Sequence, residues 1–364
     1  MLWNNDFHND KYSDFPVANR GMRRNTDKIG IFKEESHNIL EPIKEDLDYS
    51  IGDKMPSGSV GAWYNAFNNS TGRIMVVKVF QDFKKDEIWQ KFEDLEINVD
   101  ILREIQWQNI INYVAVVQKD ETIDVLMEYV PGGSLKFILN NFVKFKEKLV
   151  RSYTKQILEG LVSSHEKGIW HGDLKSANVL IDDLGIVKLS DYSFLKRPFI
   201  NPPQAAKYRK IMAFEEETKG EEDFDIPLPG SEWYTPPEVV RDPSSKINSA
   251  YDIWQLGWII VEMLTGKEPW YEFEDKEAVL KNLMVTETSP TINSTISDDW
   301  KSFLNYCFKI DPNKRATAQK LLKHPFLNMS VRELKESLEA SNFISFFSIL
   351  ASQKSLSDQS NFKI

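Results

Sequence analysis

The chain has 364 residues, 41% hydrophobic and 27% charged, a balance that excludes a wholly disordered or fibrous chain. Lys and Arg number 45 against 55 Asp and Glu, and the formal net charge of -10 argues against a nucleic-acid coat, which needs clustered positive charge. The single cysteine, Cys307, rules out an intrachain disulfide framework and a thiolate metal cluster, and fits a reducing compartment.

Residues 1–45 are polar and aperiodic and are expected to form a mobile tail. They open without a basic n-region or an apolar h-region, so no signal peptide is expected. A strand-rich region follows. Ile74–Phe80 is a β-branched run just after the turn signal Ser70-Thr71-Gly72, and Asp124–Val130 is a second run, ended by Pro131-Gly132-Gly133. Between them Ile88, Phe92, Leu95, Val99 and Leu102 recur at spacings of three and four, predicting a helix over 86–105. Beyond Gly133 the pattern turns helical: Leu135, Ile138, Leu139 and Phe142 share one face, and Ile157, Leu158 and Leu161 another. Two short strands, Val179–Ile181 and Val187–Leu189, interrupt it. Residues 198–230 read as a long loop rich in Pro and charge, and helical periodicity resumes from Ile253 to about 327. The most apolar run, Trp258–Val261, stops at Glu262, far short of a membrane span. The tail 328–364 is Ser-rich with an apolar patch at 343–347, read as either a docking surface or a self-packing segment. A mostly β first lobe and a mostly helical second lobe make an α+β two-lobe architecture.

The strongest chemical signal is His171-Gly172-Asp173-Leu174-Lys175-Ser176-Ala177-Asn178. It gathers a carboxylate, an ammonium and an amide on one loop, the set needed to accept a hydroxyl proton, neutralise a phosphate and hold a metal ion. Asp191 adds a carboxylate just after the second short strand, and Lys78 lies in a strand where it can meet phosphates.

With these residues in view the chain resembles the eukaryotic protein kinases over about residues 46–327. The resemblance rests on H-x-D-L-K-x-x-N at 171–178, on Asp191 at the first position of the D-F-G triplet, on Pro236-Pro237-Glu238 as the A-P-E triplet and on Met75-Val76-Val77-Lys78 as the V-A-I-K strand. Asp252-Ile253-Trp254 looks like the D-x-W helix start, and Arg315 like the late arginine that pairs with the triplet glutamate, here Glu238. Glu128–Leu135 and Glu262–Trp270 look like MAP kinase kinase kinases, and Gly230-Ser231 keeps the hydroxyl typical of serine/threonine members.

The resemblance implies a bilobal protein kinase fold, with a small β-rich N-lobe at 46–130, a larger helical C-lobe at 131–327 and a long activation segment at 191–238. It implies ATP and Mg²⁺. Asp173, Lys175 and Asn178 take the catalytic positions, and Asn178 and Asp191 the metal positions. Lys78, Gly58, Gly61, Val76, Met127, Ser134 and the backbone of Glu128 and Val130 take the nucleotide positions. The implied partner is a protein substrate, with a downstream kinase as the candidate. The implied setting is cytoplasmic, with the nucleus left open. Oligomeric state is undetermined.

Several family positions are altered. With Lys78 fixing the register, the glycine-rich loop reads Pro56-Ser57-Gly58-Ser59-Val60-Gly61-Ala62-Trp63, with Pro56 for the first glycine and Trp63 for the valine. Trp63 is expected either to occlude the adenine site or to stack on it. Val76 stands for the alanine and adds two methyls at the adenine ceiling, an overpacking expected to weaken nucleotide binding. Counting back from Asn109-Ile110-Ile111 puts Asn98 at the helix glutamate, with Glu96 about 200° away around the helix. Gly172 replaces the loop arginine, and Ser193 the D-F-G glycine. The activation segment carries seven acids against one Lys over 215–225, read as solvated loop or as acids docking on Lys196, Arg197, Arg209 and Lys210. His171 is expected to pack under the loop against Tyr192, and Trp233, Trp254 and Cys307 to pack in the core. Two function classes stand side by side. The altered positions suit a pseudokinase scaffold. The complete set Lys78, Asp173, Lys175, Asn178 and Asp191 suits an active serine/threonine kinase, which is the reading preferred.

Overall fold

The computed structural model describes residues 47–55, 61–81, 88–119, 121–142, 144–192, 232–242, 247–273, 276–290 and 296–330, with part of 332–340. The expectations for the 1–45 tail, Pro56, Gly58, Ser193, Ser231, the acidic insert and the 343–347 patch lie outside the described residues.

The N-lobe is a five-stranded antiparallel sheet in the order β1-β2-β3-β5-β4, formed by β1 (Tyr49–Lys54), β2 (Ala62–Asn68), β3 (Ile74–Phe80), β4 (Tyr113–Lys119) and β5 (Thr122–Glu128). Strand β3 is central, and its side chains divide by the period of two. Met75, Val77 and Val79 pack with Ala66, Ala115 and Leu126 in an outer cluster. That leaves Val76, Lys78 and Phe80 on the opposite face. The predicted helix forms as α1 (Ile88–Ile105), and its stripe residues Leu95, Val99 and Leu102 are buried in the main core. The second β run ends two residues earlier than expected, because the chain leaves the sheet at Tyr129 on its way to the glycines.

Close approach of backbones joins the lobes. Asn109 just after α1 accepts from Leu189 N, while its side-chain amide donates to Val187 O at 2.9 Å. A side chain on Gly132 would run into the carbonyl oxygen of Ile181, and Gly133 takes φ +74°, which favours glycine. The Pro-Gly-Gly run is thus a tight crossing rather than a spacer.

The C-lobe begins with α2 (Leu135–Phe142) and α3 (Glu147–Glu166), followed by the small hairpin of β6 (Val179–Ile181) and β7 (Val187–Leu189). A short α4 (Pro237–Arg241) precedes α5 (Ser249–Thr265), then come α6 (Lys276–Val285), α7 (Asp298–Cys307) and α8 (Ala318–Leu322). Helix α5 is apolar almost all round and accordingly central. The Asn248 side chain caps its start by accepting from Ala250 and Tyr251 N–H groups, and Gly266 ends it in the left-handed region. Trp254 and Cys307 are fully buried, as expected, and Trp233 packs half-buried against the same core. Among the described residues of the C-terminal tail, Glu333 and Glu336 pair with Arg151 and Lys148 of α3. No described helix is long and apolar enough to cross a membrane.

The expected Arg315–Glu238 pair is present and bidentate, at 2.8 and 2.9 Å. Arg315 also donates to Ala250 O at 2.7 Å and Lys309 O at 3.0 Å, tying α4, α5 and the end of α7 together. Removing it takes the bidentate partner from Glu238 and the donor from two carbonyls. Arg315→Ala should cost about 3–5 kcal/mol in urea unfolding, and Arg315→Lys should restore little because an ammonium cannot form the planar fork. A loss within 1 kcal/mol would count against this role.

Candidate active site

A cleft of about 300 Å³ opens between the sheet and the C-lobe. Val76 and Lys78 line it from β3, Glu128, Val130 and Ser134 from the crossing, and Lys175, Asn178 and Asp191 from below. The period-two split of β3 explains the roof: the residues not used in the outer cluster face the cleft.

One buried carboxylate organises the floor. Asp252 on α5 accepts from the backbone N–H groups of His171 and Gly172, each at 2.8 Å, and contacts His165 Nε2 at 2.8 Å. Three residues on, Gln255 accepts from Leu174 N at 2.8 Å. Gly172 sits at φ +70°, where the arginine of the motif would be strained and glycine is not. His171 stacks on Tyr192 with ring centroids 4.4 Å apart, as the sequence suggested. Burial lowers its pKa, so it packs as a neutral ring.

On this frame Asp173 is almost fully buried and meets Lys175 Nζ at 3.1 Å. Asn178 donates to Asp173 O at 2.8 Å and to its Oδ2 at 3.3 Å. Ser190 closes the loop by donating from N and Oγ to Asn178 O, at 2.9 and 3.0 Å. Asp191 follows at φ +58°, an unusual backbone for a non-glycine residue that aspartate tolerates better than most. It forms an ion pair with Lys78. The five polar residues expected from sequence therefore meet at one place, Asp173 just below the lining and the other four on it.

A family model for the protein kinase domain matches residues 49–327. The chain belongs to the protein kinase family. It is 32% identical over 301 residues to "Mitogen-activated protein kinase kinase kinase 2" of Arabidopsis thaliana, covering 82% of this chain and 43% of that protein. It is 31% identical to "Mitogen-activated protein kinase kinase kinase A" of Dictyostelium discoideum, over 84% of this chain and 30% of that protein. It is 32% identical to "Cytokinesis protein sepH" of Aspergillus niger, over 86% and 22%. The chain thus spans less than half the length of these relatives.

Within this kinase domain two expected nucleotide positions lie off the cleft wall. Met127 is buried in the core, paired across the sheet with Val76, so it backs the wall rather than lining it. Gly61, at φ +76°, is not a lining residue either; a Cβ there would press on Val79 O at 3.1 Å and Lys78 Cε at 3.2 Å. Its glycine is needed for the turn into β2. Trp63 does line the cleft and leaves it open, so the occlusion expected as one alternative does not occur. Ile111, Leu180 and Met55 also line it, and sequence reading passed them over. Leu180 carried a usable signal: between the buried Val179 and Ile181 it is the alternate residue of a short strand.

A second buried cluster joins the Asp173 loop to the start of α4. Tyr234 donates to Glu262 Oε2 at 2.5 Å, Ser176 donates to Glu262 Oε1 at 3.2 Å, and Ser176 and Tyr234 hydroxyls lie 3.1 Å apart. Lys136 stands 3.9 Å from the same carboxylate. Burial pushes the Glu262 pKa up from 4.5 to about 7, against the opposing pull of Tyr234 and Lys136. The folded state therefore binds more protons here than the unfolded chain. The resulting stabilisation is complete below about pH 4.5 and is lost as the pH rises to about 7. Glu262→Gln removes it while leaving His171 and His324 unchanged. In differential scanning fluorimetry the melting temperature of the wild type should fall relative to that of the variant between pH 5 and pH 8. A constant gap would contradict the raised pKa.

Proposed function

We propose that the chain is an ATP-dependent protein serine/threonine kinase of intracellular signalling. The observation that carries the reading is the meeting of Lys78, Asp173, Lys175, Asn178 and Asp191 at one cleft. The donor chemistry fits the nucleotide and its metal. Asn178 and Asp191 offer the hard oxygen ligands that magnesium takes, and Lys78 and Lys175 offer ammonium groups for phosphate oxygens. Bound magnesium supplies charge neutralisation at the phosphates.

Within this reading Val76 and Leu180 face the two sides of the base, and the backbone of Glu128 and Val130 meets its edge. Ser134 serves the ribose. Gly58 and Gly61 belong to the loop over the phosphates. Asp173 accepts the hydrogen bond of the protein hydroxyl and orients it, and Lys175 stabilises the transferred charge. Lys175 stands beside Asp173 at 3.1 Å. Ser231 keeps the substrate platform of serine/threonine members.

The likeness to relatives named MAP kinase kinase kinases supports a downstream kinase as the protein substrate. The catalytic unit runs over 46–327, with the activation segment at 191–238 and tails at 1–45 and 328–364. The setting is cytoplasmic or nuclear. The acidic run 215–225 is read as solvated loop, with docking on the basic residues 196, 197, 209 and 210 in place of a phosphate as the alternative, one that suits a loop lacking its arginine at Gly172.

Asp173→Asn should lower phosphate transfer to a generic protein substrate by about 10²–10⁴-fold, with the thermal shift on adding ATP and Mg²⁺ retained. Transfer unaffected by this change would remove Asp173 from the chemistry. No thermal shift and no transfer in the wild type would leave the scaffold reading instead. Deleting 213–226 separates the two readings of the acids: docking requires transfer to fall several-fold, and full activity in the deletion would leave solvated loop.

A further inference from the structure

We propose that Trp63 and Phe80 replace the missing helix carboxylate as the groups that hold Lys78 in place. The inference rests on reading the cleft as a nucleotide site. In the antiparallel pair of β2 and β3, Trp63 lies directly opposite Lys78, so the two side chains share a face. Phe80 follows two residues later on that same face. The Lys78 ammonium sits 5.1 Å from the Trp63 ring centroid and 5.0 Å from that of Phe80. Both are within the range at which a ring face attracts a cation. Lys78 is 4% exposed, and a buried ammonium needs compensation.

Among the described side chains of α1 none pairs ionically with Lys78. Asn98 of α1 holds the position where the family places its carboxylate, and it is neutral and 3% exposed. Among the described residues Asp191 is the anion that contacts Lys78. The ammonium is thus fixed by one carboxylate and two ring faces. Rings attract without carrying charge, so the cleft is more positive by about one unit than with a glutamate at 98. That surplus favours a polyphosphate. Trp63 also lines the cleft, so the indole that positions Lys78 stands against the ligand as well. The two departures at Trp63 and Asn98 are then one arrangement, and Trp63 is a positioning residue acting through Lys78.

The test is epistasis between the two positions, read by nucleotide binding and by an observable of the ligand-free protein. With a fluorescent ATP analogue and Mg²⁺, Trp63→Leu should raise Kd about five- to thirty-fold. Trp63→Phe should retain most of the affinity. Adding Asn98→Glu to Trp63→Leu should restore it, because the carboxylate resumes the role of the ring. In ligand-free protein labelled with ¹³Cε-lysine, the Lys78 methylene signal, assigned by Lys78→Arg, should lie upfield through ring currents. It should move downfield in both Trp63→Leu and Phe80→Leu. Affinity unchanged in Trp63→Leu, or lost and not restored by the second change in a variant of normal melting temperature, would overturn the replacement. If the wild type binds no nucleotide, the kinase reading fails, while an unshifted Lys78 signal in both leucine variants would refute the clamp independently.

Discussion

The arrangement of this kinase domain depends on a carboxylate that takes no part in the chemistry. Asp252 is buried in the first turn of α5 and would be costly to bury without partners. It finds them in two backbone N–H groups of the Asp173 loop. Those donors are available because the loop turns through Gly172 in the left-handed region. Helix α5 is held in turn by the Arg315 fork and by the aromatic core around Trp254, Trp300 and Phe308. The position of Asp173 is thus set by the most deeply packed helix of the C-lobe.

A second constraint fixes the cleft height. The lobes approach at Asn109 against β7 and at Gly132 against Ile181, both backbone contacts at fixed hydrogen-bond or van der Waals distance. Between these two seams the sheet cannot descend onto the floor, and the space that remains is the cleft. Lys78 from above and Asp191 from below meet across it. Their pairing closes the gap between lobes that the seams leave open, and Ser190, bonded twice to Asn178 O, keeps Asp191 in register with the loop.

Much of this was legible in the sequence, for identifiable reasons. The strand Ile74–Phe80 and the hairpin at 179–189 were marked by β-branched runs between turn signals. The stripe of α1 was marked by its three-and-four spacing. The Arg315–Glu238 and His171–Tyr192 contacts followed from the family resemblance, since residues so far apart carry no local signal. Ile111 and Met55 were missed because an apolar residue at an element boundary reads the same whether it faces core or cleft. Met127, paired across the sheet with Val76 and buried behind it, stands at the back of the cleft, where its strand position puts it. The second strand run was drawn too long because Tyr129 and Val130 have strand-like side chains, while the path to Gly132 takes them out of the sheet.

The altered positions follow a pattern once their surroundings are known. Gly172 removes a charge from the loop and also removes backbone strain, and the loop is then held by hydrogen bonds to Asp252 and Gln255. Asn98 removes a charge from the helix, and Lys78 is then flanked by ring faces. In both places an ionic group has gone, and what remains is backbone hydrogen bonding to the buried Asp252 carboxylate at the loop and two ring faces beside the Asp191 pair at Lys78. Random decay would leave the remaining charged groups without their positions. Here Asp173, Lys175 and Asp191 keep their partners at or just below the cleft. Ionic contacts are weakened by screening wherever solvent reaches them, whereas backbone hydrogen bonds to a buried carboxylate and ring faces packed beside an ammonium are screened less. A site organised in this way holds its shape with little help from outside charge, which agrees with the absence of the arginine that would otherwise receive a phosphate.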